Sequence, residues 1–114
     1  MSPRQLLVSL LTACVCSGAH AGELTVSAAS SLTNVFRELA RHYEIRHPGT
    51  TVRLNFAASG TLLQQIARGA PVDVLATADQ DTMDQAEAKG LVVANERRNF
   101  AGNSLVVVVP ADSL

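Results

Sequence analysis

The strongest constraint on this chain is a pattern that occurs twice: a short β-type run that ends in small residues and restarts at helical spacing. The first copy is Leu24-Thr25-Val26-Ser27-Ala28-Ala29-Ser30-Ser31-Leu32-Thr33-Asn34, the second Val52-Arg53-Leu54-Asn55-Phe56-Ala57-Ala58-Ser59-Gly60-Thr61-Leu62-Leu63. Each reads as a strand, a serine turn and a helix. At a helix start the first backbone N–H groups have no partner within the helix and carry roughly half a positive charge, so they attract an anion. Serine and threonine hydroxyls add neutral donors there, while alanine and glycine neighbours leave the approach open. The competing explanation is ordinary N-capping, which uses the same residue types. A single turn would not separate the two; the repetition favours a shared site.

Around these turns the order continues. Leu32, Phe36, Leu39, Ala40 and Tyr43 recur at three- and four-residue steps and predict a helix over residues 32–46 with one buried stripe. Arg37, Glu38, Arg41, Glu44 and Arg46 form its solvated face, and Pro48-Gly49 stops it. A second strand begins near Thr51. The next helix turns Leu62, Leu63, Ile66 and Ala67 inward and ends at Gly69-Ala70-Pro71. A third strand follows at Val72–Ala76, with the Asp73 carboxylate expected at its start on neighbouring backbone N–H groups. Asp79 is an N-cap for a third helix through about Lys89, burying Met83 and Ala86 and closing at Gly90. The β-branched run Ser104–Val109 completes the pattern as a fourth strand that should be buried on both faces. Alternating strands and helices predict an α/β fold with a mainly parallel sheet and helices on both faces. In such sheets ligands bind beyond the carboxyl ends of the strands, where both serine turns fall.

Several function classes are disfavoured. Nine basic and ten acidic side chains leave a net charge of −1, and neither turn carries Lys or Arg, which argues against a nucleic-acid surface. A nucleophilic serine needs a base, yet His42 and His47 lie at the far end of the first helix, and Ala58-Ser59-Gly60 lacks the full hydrolase elbow; a serine hydrolase fragment is the lesser alternative. The two histidines are five apart and share no metal-binding helical face. Asp79, Asp81 and Asp84 suit a helix dipole better than a calcium loop. No cofactor and no metal-ion ligand set is expected.

Arg4, the apolar run Leu6–Val15 and Ala19-His20-Ala21 read as a secretory signal over residues 1–21. Leu11-Thr12-Ala13-Cys14 offers a second processing site, with lipidation at Cys14. With removal of residues 1–21, Cys14 and Cys16 fall within the leader, leaving no cysteine for a disulfide or metal site in the mature chain.

Taken together, Thr25–Asn34, Phe56–Thr61, Gly69–Val74 and Gly102–Val107 resemble, in order, the periplasmic molybdate-binding proteins of ABC importers. The resemblance covers essentially residues 23–110. It implies a type II periplasmic-binding-protein lobe that helps close on a tetrahedral oxyanion, molybdate or tungstate, and hands it to an inner-membrane ABC permease. By motif position it also implies that Ser31 and Ser59 each give a hydroxyl and a backbone N–H to the oxyanion, with Ser30 at a more variable position. A fully deprotonated dianion has no proton to donate and suits a site made of donors; sulfate fits the same logic. The family's chain is about twice as long, so residues 22–114 are expected to be the first lobe, ending at the crossover to a second. The intact protein is expected to be a periplasmic monomer.

Overall fold

The computed structural model describes residues 22–112; the leader with its cleavage site and both cysteines lies outside the described residues. Three strands, β1 (Gly22–Ala29), β2 (Thr50–Ala57) and β3 (Val74–Ala76), alternate with three helices, α1 (Thr33–Arg46), α2 (Ser59–Ala67) and α3 (Gln80–Ala88). A 3₁₀ turn over Ser30–Leu32 leads into α1, and another spans Ala94–Glu96. The sheet order is β2-β1-β3, and both pairings are parallel. From β1 the chain crosses to one side, then returns past β1 to the other. Right-handed crossovers in opposite directions place α1 and α2 on opposite faces.

The central strand shows the result: Val26, Ser27, Ala28 and Ala29 are all buried, odd and even positions alike. The rest of the buried apolar core is Leu62, Leu63, Ala76 and Ala86. Much of it is alanine, so helices and sheet approach closely over a small area. Buried Ser27 is reached by the Asn55 side chain, whose Nδ2 donates to Ser27 Oγ at 3.5 Å and to Gln65 Oε1 at 2.7 Å.

Glycines end the helices as expected. After α2, Gly69 takes φ +96°, its N–H donates to Ile66 O at 2.9 Å, and the Ala70 N–H reaches Gln65 O at 3.0 Å. Gly90 repeats this after α3 with φ +68° and bonds to Glu87 O and, from Leu91, to Ala86 O. Both are Schellman closures, which need a left-handed residue that glycine supplies without strain.

Five expectations need correction. No residue of α1 is buried, and Leu39 and Tyr43 remain 53% and 40% exposed, because α1 lies chiefly against the edge strand β2 of a narrow sheet. Its polar side is not wholly solvated: half-buried Glu44 accepts from the Val52 N–H at 2.7 Å, satisfying the outer edge of β2, and Arg37 lies over the Phe56 ring. In α2, Leu62 and Leu63 are buried, but Ala67 is exposed. The run Leu105–Val109 forms no strand and is 57–98% exposed. High β propensity describes side chains that fit a pleated surface; a strand also needs a neighbour for its N–H and C=O groups, and no described strand pairs with this run. The third strand is also shorter than expected, since Asp73 bonds to Thr25 from outside the ladder.

Leu62 has no exposed surface and sits where α2 meets the sheet. Replacing it with alanine should cost about 2–5 kcal/mol, enough to unfold much of so small a domain, measured as loss of the far-UV helical signal in urea titrations.

Candidate functional site

Parallel register decides where the turns emerge. Ala29 pairs with Ala57, and Ala28 with Ala76, so all three strands end at one level of the sheet. The residues that follow are Ser30-Ser31 from β1, Ala58-Ser59 from β2 and Thr77-Ala78-Asp79 from β3. The topology therefore gathers the two serine turns, and it adds a third turn that was read from sequence only as a helix cap.

The serines are not used as caps. Ala29 precedes the 3₁₀ turn, Leu32 precedes α1 and Ala58 precedes α2, and none makes a side-chain capping bond. Ser30 is exposed; its carbonyl accepts from Thr33 Oγ1 at 2.6 Å. Ser31 is exposed and lines an open cleft of about 760 Å³. Ser59 is half-buried at the first position of α2, and its Oγ accepts from the Ala78 N–H at 3.0 Å. The structure thus brings Ser31 to the cleft directly, while Ser59 meets the cleft wall through Ala78.

The third turn is tightly tied. Thr77 Oγ1 donates to Asp79 O at 2.8 Å, and Asp79 Oδ1 accepts from the Thr82 N–H at 2.6 Å, capping α3. That backbone bond, aided by the Thr82 and Ser59 hydroxyls and opposed by slight burial, holds the Asp79 carboxyl below its usual pKa. Asp73, also in the cleft wall, exchanges two bonds with Thr25: its Oδ2 accepts from the Thr25 N–H at 2.8 Å, and its own N–H donates to Thr25 O at 2.9 Å. Of the three carboxylates that line the cleft, Asp73, Asp79 and Glu96, the first two are therefore engaged with backbone donors.

Residues 91–103 supply the remaining wall. Arg97 fastens it to α3, with Nη1 on Asp84 and on Glu87 at 3.1 Å and Nη2 on Gln80 Oε1 at 2.6 Å. Gln80 Nε2 in turn donates to Asn99 Oδ1 at 2.7 Å. At the other end, Phe100 meets Phe36 of α1 edge-on, with ring centroids 6.0 Å apart. Arg97 and Arg98 thus line the cleft, cations that lie outside both serine turns and that the motif reading missed. Their arrival depends on a loop path that has no periodicity to read. Asp79 was recognisable as more than a cap from one rule: in a parallel sheet the third strand opens on the same edge as the other two.

Among the described residues no group of three or more His, Cys, Asp or Glu is placed to hold a metal ion, and Asp84 is taken by Arg97. His42 and His47 sit near the C-terminus of α1, at the opposite end of the sheet from the turns; His47 stacks on Tyr43 and His42 faces Glu38.

An open parallel sheet whose strand ends converge on a cleft is the arrangement of an α/β ligand-binding lobe. The chain belongs to the bacterial extracellular solute-binding protein family, whose model matches residues 24–113. It is 43% identical over 96 residues to the molybdate-binding protein ModA of Escherichia coli K12, covering 84% of this chain and 37% of that protein. With ModA of Haemophilus influenzae it shares 35% identity over 97 residues, covering 85% and 38%. A solved substrate-binding domain assigned to a molybdenum ABC transporter of Clostridium difficile superposes with a TM-score of 0.61 at 34% identity, covering 64% of this chain and 32% of that one. The chain thus spans less than two fifths of the length of these relatives.

Asp79 gives a test of the third turn. Because its folded pKa is depressed, its contribution is full above the ordinary carboxylate range and is lost as pH falls through the folded value. Asp79→Ala should lower stability by about 1 kcal/mol at pH 7, and the difference from wild type should shrink toward pH 3, followed by urea unfolding across a pH series.

Proposed function

We propose that this chain is the first lobe of an extracytoplasmic solute-binding protein that captures molybdate or tungstate and passes it to an ABC import permease. Residues 1–21 would direct export to the periplasm, and residues 22–112 would present one side of the oxyanion site. The observation that carries the reading is the convergence of two serine turns at the carboxyl edge of a parallel sheet, with neither serine capping its helix, in a chain related to ModA proteins.

In this reading Ser31 and Ser59 each offer a hydroxyl and a backbone N–H, and Ser30 extends the first turn. Helix dipoles at the starts of α1 and α2 add to these neutral donors. Asp73 and Asp79 compete little, since each is bonded to a backbone N–H. A cleft of about 760 Å³ is far larger than a tetrahedral oxyanion. Tight capture and size selection would therefore require a second wall, which the greater length of the relatives could supply. One lobe alone should bind weakly, because water competes for each hydrogen bond.

Titrating the ¹⁵N-labelled chain with millimolar molybdate, tungstate, sulfate and phosphate tests this directly. Molybdate and tungstate should shift the amides of Ser31 and Ser59 at lower concentration than the other two anions. A stronger response to sulfate or phosphate would overturn the choice of ligand. Ser31→Ala and Ser59→Ala should each weaken binding by about 1.5–3 kcal/mol, the worth of a hydrogen bond to a charged group, with a smaller effect on melting. Unchanged affinity in both variants would remove the serines from the site.

A further inference from the structure

We infer that the backbone N–H of Ala78 is a positioning group for the anion site: it fixes the Ser59 hydroxyl, so that the β3–α3 turn and not helix α2 alone sets the direction of that donor. This rests on the oxyanion reading of Ser59. A serine hydroxyl rotates freely about its Cβ–Oγ bond and has one proton to give. When its oxygen accepts a bond at 3.0 Å from the Ala78 N–H, that lone-pair direction is occupied and the proton must point elsewhere. Ordering the rotor before binding removes part of the entropy that the ligand would otherwise have to overcome.

The Ala78 amide is itself held on both sides. The preceding strand is in register with β1 through Ala76↔Ala28. On the following side the chain is pinned by Thr77 Oγ1 on Asp79 O and by the Asp79 cap on Thr82. The Ser59 hydroxyl is also among the groups that hold the Asp79 carboxyl below its usual pKa. The elements of the turn are thus accounted for by what they do to Ser59: the ladder places the Ala78 amide and the cap locks it.

The test combines two measurements on the chain. Hydrogen exchange of the Ala78 amide, referenced to the Thr82 amide, should accelerate about tenfold in Ser59→Ala, since the acceptor is gone. Unchanged exchange would overturn the assignment, whatever happens to binding. Ala78→Pro removes the donor; molybdate affinity read by amide shifts should fall roughly tenfold in the wild-type background and not at all beyond Ser59→Ala in the double variant. A purely structural role would instead lower affinity and melting temperature equally in both backgrounds, and that result would also overturn it. If Ala78→Pro fails to fold, the exchange measurement alone decides. Should molybdate shift no amide of the unmodified chain, the oxyanion reading fails and the positioning role with it, while the exchange result still reports on the hydrogen bond.

Discussion

The in-register parallel pairing of β1 with both neighbours is the constraint on which everything else depends. Ala29 opposite Ala57 and Ala28 opposite Ala76 level the three strand ends to within one residue. A slip of one position in either ladder would turn alternate side chains of a two-sided core toward the wrong face. It would also displace one turn along the sheet by about 3.3 Å, more than the length of a hydrogen bond. Core and site are thus specified by the same ladders.

Most of the elements were legible in the sequence because their signals are local. Hydrophobic spacing placed α1 to within a residue, and Gly69 and Gly90 marked the ends of α2 and α3 through a backbone requirement few other residues meet. Asp79 was readable as a cap for the same reason. The failures involve partners. Leu105–Val109 has the composition of a strand but pairs with no described strand, and Glu44 looks solvated until β2 brings an unsatisfied N–H to it.

The candidate site divides along the same line. The turns that carry Ser31 and Ser59 were visible because they repeat, whereas the bond from Ala78 to Ser59 could not be, since an alanine side chain carries no chemical signal and the contact is made by its backbone. Arg97 is similar: its partners Gln80, Asp84 and Glu87 share α3, but which distant residue would meet them depends on the path of a loop. Sequence reading finds residues that advertise a chemistry and overlooks those that act through geometry.

The completely buried methyl of Ala28 sets a gauge for the whole lobe. It lies on the central strand, one residue before the paired alanines from which two of the turns depart. A larger side chain there would have to lift a neighbouring helix or bend the sheet, because close-packed interiors have no slack to absorb extra methylenes. Drift in the core of this lobe would therefore be felt as misalignment at its rim. Any constraint on the turns would reach inward to Ala28, which does not line the cleft.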